Sequence, residues 1–261
     1  MKSKVGLVLA NIARFLTGKF VFNKRLPASF GGAKIRVTSR SDIRLLKPGF
    51  NSSSGDLLQV AKTYIRPDYC VWDIGSNLGI FSVCAAWFAG PKGKIFSVEA
   101  DPYYAELQFS TSKRLPQGYS SITTLCAAIA DTNRLLELHI PQRGHSRTHL
   151  GIIQRNKAGE IATTKQVVCV TADFLLKHWT PPDFVKVNIE GAEMLFMEGA
   201  YNLFEEVRPF MYIEIDEANR QLATEKFNLW NYRLFALSPE GKELPIDTCE
   251  YNTIAKPKEK C

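Results

Sequence analysis

The chain has 261 residues, 45% of them hydrophobic and 23% charged, with a formal net charge of +7. That length suits one sizeable α/β domain with an extension, and the ordinary globular composition sets aside the disordered and fibrous classes. Charge is unevenly spread: residues 1–47 hold eleven Lys and Arg against a single acid, Asp42, so the remainder is slightly acidic.

In chain order, residues 5–16 (VGLVLANIARFL) are too short to span a bilayer. Lys2 and Lys4 resemble the start of a signal peptide, but a small-residue cleavage site is lacking and Arg14 interrupts the run. Val5, Val8, Leu9, Ile12, Phe15 and Leu16 fall on one helical face. Such a helix either packs on the domain or lies on a membrane. The basic segment around it is either a solvated face or a contact for an anionic neighbour, a membrane surface or a nucleic acid.

Ala33–Thr38 reads as a strand, Pro48–Gly49 as a break, and Ser53–Ile65 as a helix ended by Pro67. An alternation follows: strand Cys70–Ile74, helix Ile80–Ala89, strand Lys94–Glu99, helix Pro102–Arg114, strand Ser121–Cys126. Leu135–Ile140 and Gln166–Val170 read as strands in the second half of the same sheet. After them come helix Ala172–His178, strand Phe184–Ile189, helix Ala192–Phe204, strand Phe210–Ile215 and a helix near Glu217–Leu229. Tyr232–Leu237 and Thr253–Ala255 suit an antiparallel edge. Strands alternating with helices predict a mostly parallel central sheet covered on both faces, a Rossmann-like α/β fold. The expected organisation is a basic extension over residues 1–48 and one catalytic domain over 49–261. Six cysteines without a C-x-x-C pair predict a reduced cytoplasmic protein with neither disulfides nor a metal site.

The turn VWDIGSNLGIF, residues 71–81, offers G-x-N-x-G where a dinucleotide site wants G-x-G-x-x-G. Gly75 and Gly79 let a ligand approach the backbone, while an acid at Asp73 disfavours phosphate and favours a cation. The next strand ends in Glu99-Ala100-Asp101, where a carboxylate can accept both hydroxyls of a ribose. Together these features fit S-adenosylmethionine, which is cationic and has no phosphate.

VWDIGSNLGIFS, KIFSVEADP, VKVNIEGAEMLFMEGA and RPFMYIEI together resemble the FkbM-type S-adenosylmethionine-dependent methyltransferases, over about residues 49–215. The resemblance implies a class I methyltransferase fold. It implies that Asp73, Gly75, Ser76, Asn77 and Gly79 line the cofactor's methionine side, that Glu99 with Ala100 and Asp101 takes the ribose, and that Ala127 and Ala128 lie beside the adenine. It also implies O-methylation of a hydroxyl on a sugar, glycolipid, surface polysaccharide or related natural product. One departure stands out: Asn188 sits where the family usually has Asp, and an amide is no carboxylate base. Either Asn188 only orients a substrate hydroxyl, or activity is altered.

A hydroxyl acceptor must lose its proton as the new bond forms. Glu190, at the carboxyl end of its strand, is the first candidate for base or substrate anchor, with His145 in the polar loop PQRGHSRTHLG the second and His149 behind it. Arg147, Glu193 and Glu214 are candidates for holding the acceptor, although capping or pairing also suits the two acids. The basic segment fits a glycan on a lipid carrier, with residues 1–25 touching a membrane peripherally. Two other readings compete: an RNA methyltransferase, against which no N/D-P-P-Y/F motif and no interleaved aromatics are found, and an inactive scaffold that keeps only cofactor binding.

Overall fold

A computed structural model describes residues 20–41, 45, 49–50, 55–141, 148–153, 161–238 and 241–260. Its first elements are the antiparallel hairpin β1 (Phe22–Arg25) and β2 (Lys34–Val37). This hairpin is part of the main core. Leu26, Ile35 and Val37 are at most 1% exposed and cluster with the helix that follows the Gly75–Gly79 turn. Several basic residues of the segment are also tied down. Lys24 donates to the Leu45 carbonyl, Arg36 donates to Ser110 Oγ, and Arg40 lies over the Tyr103 ring. Residues of the hairpin, with Leu45 and Phe50, therefore share one core with the elements that follow. The amphipathic segment 5–16 lies outside the described residues.

Helix α1 (Gly55–Tyr64) leads into the central sheet. Strand β3 (Cys70–Ile74) is buried at all five positions, as a strand covered on both faces must be. It is followed by α2 (Ile80–Ala89), β4 (Lys94–Glu99), α3 (Pro102–Ser112) and β5 (Ser121–Cys126). Helix α2 is apolar almost all round, with eight of its ten residues buried, because α1 and the hairpin cover the side the sheet leaves open. Asp101 caps α3, accepting from the Tyr103 N–H, and Pro102 takes the first helical position, where its missing N–H costs nothing.

Chain order then gives β6 (Ala128–Ile129), β7 (Arg134–Pro141), β8 (His149–Leu150), β9 (Ile161–Val170), α4 (Ala172–Leu176), β10 (Phe184–Val187) and α5 (Glu193–Glu198). The remaining elements are β11 (Phe210–Glu214), α6 (Arg220–Leu229), β12 (Tyr232–Leu237), β13 (Glu243–Ile246) and β14 (Asn252–Pro257). The large sheet runs β13-β12-β14-β11-β10-β3-β4-β5, with β5, β4, β3, β10 and β11 mutually parallel. This is the expected Rossmann-like class I arrangement. The antiparallel end has one more strand than expected: β14 slots between β11 and β12, and β13 forms the edge.

Two expectations need correction. Strands β7 and β9 do not extend the central sheet. They form a separate four-stranded sheet, β6-β9-β7-β8, held over the strand ends by Leu138, Leu150, Val167 and Ala192. The helix expected over 192–204 is broken. It ends at Glu198, and a π-helical turn over Leu203–Val207 follows. The cause is local. A side chain at Gly199 would meet the Ala130 carbonyl at 2.3 Å, and Asp173 caps the second piece by accepting from the N–H groups of Asn202 and Leu203. Among the described residues no helix is long and apolar enough to cross a membrane.

Candidate active site

The chain leaves β3 toward β4 and β10 toward β11, so the strand order reverses between β3 and β10. Ligands of open α/β sheets bind beyond the strand ends at such a point. A cavity lies there, open to solvent on one side, in the place where small-molecule sites of such sheets are found. Its floor is Gly75, Asn77 and Glu99, one wall is Ala100, Ala127, Ala128 and Ile129, and Asn188, Ile189 and Glu190 face it from the turn after β10. The second sheet roofs it with Leu138, Thr148, His149 and Leu150.

The turn is a poor cradle for phosphate, because four of its amides are already engaged. The N–H groups of Gly75 and Ser76 both donate to the Val98 carbonyl, that of Gly79 to the Ser76 carbonyl, and that of Asn77 to Glu99 Oε2 at 2.7 Å. Asn77 holds the left-handed region at φ 51° to make that contact, a conformation Asn tolerates better than most residues. At Gly75, φ 74°, a side chain would meet the Asn188 carbonyl at 1.8 Å, so only glycine closes the turn against β10.

Glu99 is 8% exposed, and its other oxygen accepts from the Asp101 N–H at 2.8 Å. Each carboxylate oxygen thus keeps one further acceptor position, and two adjacent hydroxyls fit that pair. Burial pushes the Glu99 carboxyl up to about 7, against the pull of the two backbone donors. The described lining carries two acids, Glu99 and Glu190, and neither Lys nor Arg. A cationic nucleoside without phosphate matches this donor set, and S-adenosylmethionine is such a molecule.

Asp73 does not supply the negative charge expected of it. It is 0% exposed and absent from the lining; its Oδ1 lies 3.0 Å from Lys186 Nζ, and its Oδ2 accepts from Ser82 Oγ at 2.5 Å. Lys186, 2% exposed in the middle of β10, also donates to the Gly75 carbonyl at 2.7 Å. The pair is neutral overall and props the turn from beneath. Ser76 and Gly79 likewise support the turn without lining the cavity, and Asp101 caps α3 and pairs with Lys165 at 3.1 Å.

On the acceptor side, Asn188 and Glu190 line the cavity, and Glu190 sits in the left-handed region at φ 53°, followed by Gly191 at 100°. Strained backbone of this kind concentrates at functional turns. Glu193 turns inward instead. It is 2% exposed and accepts from the Gly191 N–H at 2.9 Å; burial pushes its carboxyl up to about 7, with Asp216 and Glu190 adding to the effect. Glu214 accepts from the hydroxyls of Tyr251 and Tyr212 and does not reach the cavity. His145 and Arg147 lie outside the described residues.

Sequence reasoning ranked His149 low and did not find Lys186. His149 enters only because β8 folds back on β7, a pairing that two residues do not advertise. A lysine inside the apolar run FVKV was a readable signal, since a lysine so buried needs a partner.

A family model described as "Methyltransferase FkbM domain" matches residues 73–236. Similar solved structures include a methyltransferase FkbM from Methylobacillus flagellatus, at 12% identity over 76% of this chain and 47% of that one, TM-score 0.49. Others are a precorrin-6y C5,15-methyltransferase from Geobacter metallireducens, at 14% over 76% and 86%, TM-score 0.44, and a SAM-dependent O-methyltransferase from Thermotoga maritima, at 13% over 92% and 78%, TM-score 0.44. The chain spans about half the length of the Methylobacillus protein. No curated protein matches the sequence.

Proposed function

The chain belongs to the FkbM methyltransferase family, whose methyl donor is S-adenosylmethionine, and from that premise we propose that it methylates a hydroxyl oxygen of a sugar or similar polyol in the cavity above β3 and β10. The observation that carries this reading is the polar group set Asn188, Glu190, Thr148 and His149 that lines the same cavity as the Gly75–Asn77 turn. When bound, the cofactor supplies an electrophilic methyl on a sulfonium whose departure leaves a neutral thioether.

The protein's own work is to bind, align and take a proton. Glu99 accepts the two ribose hydroxyls, and the apolar wall of Ala127, Ala128 and Ile129 packs against the base. Glu190 accepts the acceptor hydroxyl's proton as it leaves, and Asn188 donates its amide N–H to a neighbouring oxygen to fix the angle of approach. Alignment contributes up to about 7–11 kcal/mol in favourable cases, so the amide at 188 is compatible with turnover when the base lies elsewhere. The purified protein should release S-adenosylhomocysteine with a hydroxyl-bearing saccharide panel, and Glu190→Gln should lower kcat roughly 10²–10⁴-fold. Cofactor binding without turnover on any hydroxyl acceptor would remove the O-methylation reading.

Peripheral membrane contact and a cytoplasmic location belong to the same proposal, with residues 1–25 as the contact. Because β1 begins at Phe22 and its hairpin is part of the core, the clean comparison deletes only residues 1–19. Full-length protein should sediment with anionic liposomes and the shortened form should not; equal sedimentation of the two would discard the membrane contact.

A further inference from the structure

Beneath the cofactor turn runs a chain of buried polar side chains, and its hub, Gln108, lies outside every sequence motif quoted above. Gln108, on the inner face of α3, is 0% exposed. Its Nε2 donates to Ser82 Oγ at 3.0 Å and its Oε1 accepts from Ser76 Oγ at 2.9 Å. Ser82 in turn donates to Asp73 Oδ2, which lies beside Lys186, and Lys186 donates to the Gly75 carbonyl. The stem of Gln108 also fills the space a side chain at Gly79 would need, with its Cγ 2.7 Å from where that Cβ would stand. One amide therefore touches the start of the turn through Ser76, its end through Gly79, and the first turn of α2 through Ser82.

We propose that Gln108 is a positioning residue for S-adenosylmethionine: it sets the height and tilt of the Gly75–Gly79 turn against the cofactor's methionine end without touching the cofactor. The chemistry of the amide suits the place. A carboxylate at 108 would accept from Ser76 but face Asp73 across Ser82 with like charge, and a lysine could not accept from Ser76 at all. Only a side chain that donates at one end and accepts at the other closes both contacts. Losing it leaves the Ser76 hydroxyl with only the Val98 carbonyl to donate to and the Ser82 oxygen without the donor it accepts from, so the two ends of the turn are no longer tied to one side chain.

The inference rests on the cofactor reading and is independent of the acceptor. Its test titrates S-adenosylhomocysteine and, separately, adenosine into the full chain at 20 °C for wild type, Gln108→Met and Ser76→Ala. Gln108→Met keeps the volume and removes both polar contacts, so affinity for S-adenosylhomocysteine should fall about tenfold or more, the scale of one lost buried hydrogen bond. Adenosine, which lacks the methionine end, should bind within about threefold of wild type. A role confined to stability would lower the unfolding midpoint and leave both affinities of the folded protein alone, which overturns the proposal; so would an equal loss for both ligands. If Gln108→Met does not fold, Ser76→Ala decides, with the same selective loss expected at smaller size and unchanged affinity counting against. Absence of S-adenosylhomocysteine binding by folded wild type would instead bring down the cofactor reading, and this inference with it.

Discussion

Replacing Glu99 with Gln should weaken S-adenosylhomocysteine binding at least about a hundredfold at pH 8, the equivalent of roughly 3 kcal/mol. Two charge-assisted hydrogen bonds to ribose hydroxyls, each worth about 1.5–3 kcal/mol, are enough for that. A second cost is built into the site. Both carboxylate oxygens of Glu99 already accept from backbone donors, the N–H groups of Asn77 and Asp101. A glutamine has one oxygen and one NH2, so one of those donors would confront another donor. The same residue gives binding a pH dependence. With the free carboxyl held near 7 by burial, a lower pH puts a proton where a hydroxyl must donate. Affinity should be flat above about pH 8 and fall toward tenfold per unit below pH 7. Stability of the ligand-free protein should run the opposite way. The folded state holds the Glu99 and Glu193 protons more tightly than the unfolded chain does, so this part of the stability is full below about pH 4.5 and is lost as pH rises through about 7. Calorimetric titration across pH 5.5–8.5 reads the affinity, and thermal unfolding of the ligand-free protein across pH 4–8 reads the stability. A Glu99→Gln protein that binds within threefold of wild type would show that the ribose is held elsewhere.

The central alternation was legible because it is local. Strands β3, β4 and β5 and helix α2 follow from apolar runs closed by Gly or by an acid, and the structure places all four with the expected bounds. The ribose-side carboxylate at Glu99 was legible too, since a parallel βαβ unit puts the end of one strand beside the turn after its neighbour. What failed was non-local. Alternation in Leu135–Ile140 says strand, yet nothing in those residues says which sheet they join, and β7 pairs with β9 across nineteen residues of intervening chain. The helix over 192–204 shows apolar periodicity throughout; it is interrupted by Asp173 from a different element and by the Ala130 carbonyl crowding Gly199. The basic segment read as an appendage because charge was counted without regard to partners, while Arg36 and Arg40 are bound to α3. Asp73 is the most instructive case. A turn acid beside a cationic ligand and a turn acid beside a buried lysine look the same in one sequence, and only the register of β10 against β3, which sets Lys186 opposite Asp73, separates them.

That register yields the largest stability effect expected of any single substitution here. Lys186→Met would leave the Asp73 carboxylate 0% exposed, with Ser82 as its remaining hydrogen-bond donor. Removing one partner of a buried pair costs about 3–5 kcal/mol because the other charge stays behind. At roughly 2–4 °C per kcal/mol for a chain of this size, the unfolding midpoint should drop on the order of 10 °C. The double variant Asp73→Asn with Lys186→Met should recover much of the loss, since neither charge is then stranded, and the thermodynamic cycle should return a coupling well above the ~0.5 kcal/mol typical of independent sites. Asp73→Asn alone separates the two roles this acid can have. As a strut it lowers the midpoint, because Lys186 is stranded in turn, and it weakens the cofactor only through the turn that Lys186 and Ser82 hold. As a direct partner of the cofactor's ammonium it would leave the midpoint near wild type and abolish binding. The geometry sides with the strut: both Asp73 oxygens face protein groups, and no part of the side chain reaches the cavity.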